Sequence, residues 1–439
     1  MFKPKFISFL VGCSAAVFSA GSVAAEPIAV EDLARLPAIT NVTVTTDGNT
    51  MFALVGPSAG DDKDRAVIAT WDLNDLSKAP VMAAPDGDDS EFIFIQALKN
   101  GYVLTAIRKP YTGSLRGCSE GKTTGSTRTW VVTDKSFEKF EEPFIELGSM
   151  RGRSKNTEIC LRMEARGSVA SRMAGDPDHV LISRLNARSF ESELGLLDLE
   201  TNEVEVVYQS TTDRSAAFAD PWDGEVMAES EFDEKDGTFV QEISLKSEKG
   251  GSFEKQDALR IDLVERRELS VIHWDDKAGL YYINTNKFSD KKQIYTYDPK
   301  TRILSEEPVF ANPDFDATGV ITSTVPSEFG KVLGFNYGAD TTRTVWVDPE
   351  LGGIVLGLEQ AFPDQEIDVI YASDDRNRIV FSASSVQHPA RYFVFDDKAK
   401  LQAIGAERPW IDPADIGTMD LVYYTARDGR RTPALLTHA

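Results

Sequence analysis

Histidine and cysteine are scarce in this chain, at four and three among 439 residues. No two of His179, His273, His388 and His438 stand at metal-ligand spacing, and the cysteines Cys13, Cys118 and Cys160 form no C-x-x-C unit, so no metal site and no cofactor is expected. Basic residues are also in deficit, 47 against 70 acidic ones, for a net charge of -23. Such a surface repels phosphate backbones and anionic lipid, which argues against nucleic-acid binding and suits solubility in an extracellular or periplasmic setting. Long apolar runs are missing beyond the leader: nothing approaches the roughly 20 residues of a membrane span. Helical periodicity is nearly absent outside residues 29–36.

The apolar stretch that is present lies at the start. Lys3 and Lys5 give a charged beginning, residues 7–20 an apolar middle and Val23-Ala24-Ala25 a small-residue cleavage site before Glu26. Residues 1–25 are therefore expected to be a signal peptide cleaved after Ala25, which predicts a periplasmic or secreted protein. Leu10-Val11-Gly12-Cys13 also fits a lipid-attachment pattern, with anchoring at Cys13 as the alternative. Cys118 and Cys160 remain after cleavage, and in an oxidising compartment an even pair is readily bridged. A Cys118–Cys160 disulfide is expected, against two free buried thiols.

Several motifs imitate active sites. Gly117-Cys118-Ser119-Glu120-Gly121 matches a nucleophile elbow letter for letter, but no buried strand leads in and no apolar helix follows. Gly121-Lys122-Thr123 lacks the earlier glycine of a phosphate loop, because position 116 is Arg116. The acidic clusters at residues 61–64 and 86–89 lack the alternating ligand spacing of a calcium loop and read as solvated turns. His179, His273 and His388 read as structural, and no catalytic residue is assigned to this chain.

What recurs is a β-rich run, a turn opened by aspartate, then a second apolar run. Trp71-Asp72-Leu73, Val132-Thr133-Asp134, Leu197-Asp198-Leu199, Tyr297-Asp298-Pro299, Val347-Asp348-Pro349 and Phe395-Asp396-Asp397 are spaced by 62, 64, 100, 50 and 48 residues. The gap of 100 divides in two if the degenerate turn at Lys246-Ser247 is counted, which makes seven units. A period near 50 with alternating Val, Ile, Tyr and Phe and Gly, Asp or Asn turns is the signature of an all-β, seven-bladed β-propeller of four-stranded blades. Further strands are expected at residues 50–55, 101–107, 180–183, 226–230, 279–284, 331–336 and 378–382. The two early units are longer, and residues 111–128 and 150–172 are expected to be surface loops.

The last stretch reads as a hairpin about Asp428-Gly429. Its pattern Tyr424-x-Ala426-Arg427-Asp428-Gly429, followed by Ala434-x-Leu436-Thr437, resembles the segment leading from propeller to hydrolase domain in the prolyl oligopeptidase family of serine peptidases. Ser384-Ser385, His388-Pro389, residues 391–396, Leu401 and Arg408-Pro409-Trp410 are similar to the last propeller blade of its acylaminoacyl peptidase-like and dipeptidyl peptidase-like members. With the signal peptide (1–25) and the propeller (26–420) read above, the resemblance implies that residues 421–439 are the start of a truncated α/β-hydrolase domain. It implies a substrate-gating lid over a catalytic domain acting on peptide substrates, whose nucleophile, acid and histidine would follow Thr437, so this chain is expected to be hydrolytically inert. The alternative is a stand-alone periplasmic propeller serving as a binding or scaffold protein.

Overall fold

The structure, a computed structural model, describes residues 28–57, 65–87, 89–114, 122–145, 167–186, 189, 191–235 and 237–438. The leader with Cys13, the elbow-like motif with Ser119, and the expected Cys118–Cys160 pair lie outside the described residues. A short helix α1 (Val30–Ala34) precedes the first sheet, at the position where the sequence predicts a helical turn.

Seven antiparallel sheets follow in chain order, each built from consecutive strands. Blade 1 holds β1 (Thr40–Val44), β2 (Thr50–Val55), β3 (Val67–Asp72) and β4 (Val81–Ala83). Blade 2 holds β5 (Glu91–Ala97), β6 (Tyr102–Ser114) and β7 (Lys122–Asp134), with a bridge from Val132 to Glu141 where a fourth strand would lie. Blade 3 comprises β8 (Gly167–Ser171), β9 (His179–Leu185), β10 (Ser192–Asp198) and β11 (Val204–Gln209). In blade 4, β12 (Arg214–Ala219), β13 (Val226–Lys235) and β14 (Thr238–Leu245) are edged by two short strands, β15 (Glu254–Lys255) and β16 (Ile261–Asp262). Blade 5 is β17 (Leu269–Asp275), β18 (Leu280–Thr285), β19 (Gln293–Asp298) and β20 (Ile303–Leu304). Blade 6 has three strands, β21 (Ala317–Thr322), β22 (Val332–Gly338) and β23 (Thr342–Trp346). Blade 7 is β24 (Glu366–Ala372), β25 (Arg378–Ser384), β26 (Arg391–Asp396) and β27 (Lys400–Ala406). A separate hairpin, β28 (Thr418–Thr425) and β29 (Arg431–His438), comes after blade 7.

The molecule is thus a seven-bladed β-propeller with a C-terminal hairpin. Each recurring aspartate ends the third strand of its blade or caps the next element, and in most of them the carboxylate closes the turn, Asp396 instead taking Arg378. Asp72, Asp134, Asp198 and Asp298 each accept a backbone N–H two residues on. An Asx turn suits this position because the short side chain supplies the acceptor that the ladder no longer provides. The degenerate member, Lys246-Ser247, follows the third strand of blade 4.

Blades bury their faces against neighbours. Phe52 and Ile68 of blade 1 meet Phe92 and Val103 of blade 2, and Leu104 and Val132 meet Val180 and Leu197 of blade 3. Met227 and Ile243 meet Trp274 and Tyr281 across blades 4 and 5. The ring closes where Val44, Met51 and Leu73 pack on Val380 and Val394 of blade 7. Each such large side chain removed from water contributes roughly 1.5–3 kcal/mol.

Two expectations are corrected. Residues 349–361, read as free of helical signal, form a second helix, α2 (Pro349–Ala361), in place of a fourth strand of blade 6. Asp348 is its N-cap, accepting from Leu351 N–H at 3.0 Å, Pro349 starts its first turn, and Leu351, Val355 and Leu358 bury one stripe against Phe381. Residues 111–128 are not a loop in their described part: β6 and β7 stay paired out to Ser114 and Lys122 as an elongated ribbon. Among the described residues no helix is long and apolar enough to cross a membrane.

Candidate functional site

Because strands alternate in direction, the turns joining first to second and third to fourth strands gather on one face of the ring. The turns joining second to third strands, and the links between blades, gather on the other. The terminal hairpin belongs to the second face. There Arg431 pairs with Asp314, in the link between blades 5 and 6, and Gln387 donates to the Ile416 carbonyl at 3.1 Å. Arg431 also stacks on Tyr423, 3.4 Å from the ring centroid. Polar contacts anchor the hairpin, and much of its apolar surface stays outside: Val422, Tyr423, Tyr424, Leu435 and Leu436 are 36–54% exposed. The preceding segment is strapped to the N-terminal one, with Trp410 Nε1 donating to the Asp32 carbonyl and Arg35 lying 4.0 Å over the indole.

A groove of about 700 Å³ runs between blades 6 and 7, from residues 322–325 and Arg376 at the face opposite the hairpin to Thr342, Glu366 and Ser384 towards the hairpin face. Its walls come from β21, β23 and β24, yet Arg172 of blade 3 also lines it. Blade 3 stands across the ring from blades 6 and 7, so Arg172 reaches over the central channel to get there. The turn that launches it is clamped from both sides. Lys99 of blade 2 donates to the Met173 carbonyl at 2.8 Å and to the Asp176 carbonyl, and Ala174 and Gly175 donate to the Pro221 and Trp222 carbonyls of blade 4. Met173 itself is buried and held at φ 50°, a left-handed conformation that costs a non-glycine residue of order 1 kcal/mol.

Among the described residues Arg172 has neither a hydrogen bond nor an ion pair. Burial opposes its charged form and only Tyr371 favours it. A guanidinium does not deprotonate in a protein, so the burial penalty is borne as lost stability. Asp368, on β24, is the second unpaired charge in the same groove. The residue is solvent-exposed, and partial desolvation by the neighbouring strands pushes its pKa up.

A larger cavity, about 870 Å³, lies between blades 4, 5 and 6 on the face opposite the hairpin. Lys249 there bridges Asp220 and Asp223 at 2.7 Å each, Trp222 packs edge-on against Phe329 at 4.9 Å, and His273 forms part of the wall. Burial drives the His273 pKa down, the Gly330 backbone partly opposing it, and its Nε2 is buried without a partner. In blade 4, Glu231, Asp233 and Glu242 bring ligand oxygens within 4.8 Å of one another. The ammonium groups of Lys235 and Lys255 already sit on Glu242 and pull its pKa down, so two cations answer three carboxylates in this cluster.

The other histidines serve turns and strand pairs. His179 Nδ1 meets Asp176 at 3.0 Å within one turn. His388 Nδ1 lies 3.0 Å from Ser385 Oγ, a contact with the spacing of a nucleophile and its base. That hydroxyl also accepts from the His388 backbone N–H at 3.2 Å, so the pair closes the β25–β26 turn, and among the described residues no carboxylate orients the ring. His438 meets Asp420 across the hairpin at 3.1 Å. The sequence reading passed over Arg172 and Asp368; the signal that finds them is the lack of a partner, which only the assembled ring reveals.

No protein-family model matches the chain, and no curated protein matches it significantly. Among solved structures it is similar to a prolyl endopeptidase, one of two described in a study of inter-domain dynamics in catalysis and specificity: TM-score 0.53 at 12% identity, over 92% of this chain and 54% of that one. It is similar to a puromycin-hydrolyzing peptidase of Mycobacterium tuberculosis at TM-score 0.53 and 10% identity, over 93% of this chain and 60% of that one. Prolyl oligopeptidase B from Galerina marginata matches at TM-score 0.49 and 11% identity, over 92% of this chain and 55% of that one. The chain therefore spans little more than half the length of these structures, and at such identities the likeness is one of fold: a propeller like that of the prolyl oligopeptidases.

Proposed function

We propose that this chain is the propeller region of an exported serine peptidase of the prolyl oligopeptidase type, a lid that stands over an α/β-hydrolase domain and admits peptides of modest size. The observation that carries this reading is the hairpin of residues 418–438. It lies outside all seven blades, bears the Tyr424-x-Ala426-Arg427-Asp428-Gly429 pattern, and turns exposed Tyr424, Leu435 and Leu436 outward. A two-stranded hairpin is marginal by itself in water; contact with a following domain would cover those side chains. On this reading residues 421–439 begin that domain, the leader is removed after Ala25, and peptide hydrolysis belongs to the longer protein.

Capture of the native protein from its source cells with an antibody to the propeller, followed by intact mass measurement, tests the proposal. A species much heavier than 48.4 kDa supports it, and a species at that mass less the leader overturns it in favour of a stand-alone binding propeller. The purified chain is expected to stay unlabelled by a serine-reactive fluorophosphonate, and amino-terminal sequencing of the native form is expected to begin at Glu26.

A further inference from the structure

Two turns that are not neighbours in the ring touch each other. Trp222, in the β12–β13 turn of blade 4, packs edge-on against Phe329, in the β21–β22 turn of blade 6, with ring centroids 4.9 Å apart. The pair bridges the inner end of blade 5, and both rings line the cavity of about 870 Å³. Blade 5 adds His273 and Tyr282 to the wall, their rings 5.3 Å apart. Trp222, Phe329 and Tyr282 are each half-buried, so ring surface stays accessible where they line the cavity. The bridging rings stand on fixed backbone. A Cβ added at Gly175 of blade 3 would come within 2.3 Å of Trp222 Nε1, so the indole lies directly against that glycine. Phe329 follows the helical turn Pro326–Glu328, and Gly330 N–H closes the loop on the Ser323 carbonyl at 3.0 Å.

Charge is uneven around these rings. Lys249 is taken by Asp220 and Asp223, and Lys331 by Glu328 and Asp348. Asp275 and Asp276 are the remaining acids of the lining and Lys277 its remaining base, and none of the three has an ion pair among the described residues. His273 adds no positive charge, because burial pushes its pKa down. We propose that this cavity binds a quaternary ammonium ion of the choline class, its methyl groups against Trp222, Phe329 and Tyr282 and its charge answered by Asp275 and Asp276. Aromatic faces carry negative potential and attract a cation, most strongly where water is excluded. A fully methylated ammonium donates no hydrogen bond, so rings suit it where a metal ion would need converging ligand atoms. Among the described residues that convergence occurs in blade 4, at Glu231, Asp233 and Glu242, and not in this cavity. A small anion would meet two aspartates against one lysine. The volume lies within the range of small-molecule sites, about 300–1,000 Å³. The site opens on the face opposite the terminal hairpin, uses only residues of this chain, and does not depend on the peptidase reading.

Isothermal titration of the purified chain with choline at millimolar concentration tests the site. Two comparison probes separate charge from methyl contact: dimethylbutanol, in which carbon replaces the charged nitrogen, and ethanolamine, which lacks the methyl groups. Choline is expected to bind, and each probe to bind roughly tenfold more weakly. Trp222→Leu is expected to weaken choline binding by roughly tenfold. The paired change Asp275→Asn and Asp276→Asn keeps every ring and the bond that Asp275 Oδ1 accepts from Ala278 N–H at 2.9 Å. It is expected to melt with the parent, to bind choline more weakly, and to narrow the preference for choline over the neutral alcohol. Absence of choline binding overturns the proposal, as does equal affinity for choline and either probe. Unchanged choline affinity in the folded tryptophan variant or in the paired asparagine variant overturns it too. None of these results bears on whether a hydrolase domain follows, which the intact mass decides separately.

Discussion

The ring is closed without any shared strand. Blade 1 is built wholly from residues 40–83 and blade 7 wholly from residues 366–406, so no β-ladder crosses the seam between them. Side chains hold it instead, and Arg378 is the polar centre of that contact. Its Nε meets Asp396 at 2.8 Å within blade 7, while Nη1 donates to the Gly48 carbonyl at 3.0 Å and to Asn74 Oδ1 at 3.1 Å in blade 1. Replacing it by methionine keeps much of the stem and removes these bonds together with a longer one from Nη2 to Asp396 Oδ2 at 3.4 Å. Breaking a fully buried pair costs about 3–5 kcal/mol. Here the Arg378 and Asp396 side chains are 21% and 19% exposed, so solvent screens part of the loss and about 2–3 kcal/mol is expected. At about 2 °C per kcal/mol, the low end for a large domain, melting should fall by roughly 4–6 °C.

A seam makes a sharper claim than a melting temperature. Hydrogen exchange in Arg378→Met should accelerate on both sides of the closure, in β1 and β2 as well as in β24 and β25, although these strands lie at opposite ends of the sequence. Arg184→Met is the control, because Arg184 pairs with Glu193 at 2.7 Å inside blade 3 and is more deeply buried. It should lower stability by a similar amount while quickening exchange only around blades 2 and 3. Exchange in Arg378→Met that changes in blade 7 alone, or a melting shift under 1 °C, would refute the idea that this residue closes the ring.

Asp348→Ala should cost about 1 kcal/mol by removing the N-cap of α2. The Leu351 N–H bond and then Lys331 hold the Asp348 carboxyl below the usual carboxylate range, so this stability is present above the unfolded pKa and disappears as pH falls through the lower folded one. Urea midpoints of parent and variant should therefore converge below pH 3 to 4. His273 behaves in the opposite sense to a histidine that gains a partner. Burial lowers its folded pKa below 6.5, the unfolded chain takes up the proton first, and stability should decline as pH drops from 7.5 to 5, with a slope of at most about 1.4 kcal/mol per pH unit, a component that His273→Phe should remove. If Cys118 and Cys160 are bridged as proposed, alkylation of the mature, unreduced chain in denaturant should add no label, and two labels should appear after reduction.

The blades were legible because their signals are local. An aspartate turn at the end of the third strand depends only on the next two or three residues, and the expected second strands, such as residues 50–55 and 180–183, coincide with or fall inside β2 and β9. The helix α2 was not legible for the same reason. Gly352, Gly353 and Gly357 dilute its local propensity, and it forms because Leu351, Val355 and Leu358 find Phe381 and Phe393 on blade 7. The Asp348 turn was seen, but its carboxylate starts a helix where the repeat led one to expect a strand.

The groove shows why sites in a propeller escape a reading along the chain. Ser119 stands in a motif because its neighbours in sequence form a pattern, whereas Ser385, beside His388 in the structure, only closes a turn. Arg172 and Asp368 have no pattern around them, and they share a cavity only because the ring carries blade 3 opposite blades 6 and 7. Each is ordinary as a surface charge in the sequence, and only the fold shows that Arg172 is partly buried without a described counter-ion while Asp368 stays open to water. Lys235 and Lys255 make the contrast: they too sit among acids, but Glu242 answers both, so that cluster stabilises blade 4 and asks for nothing more. Chemistry in this fold is thus located by what the assembled blades leave unsatisfied.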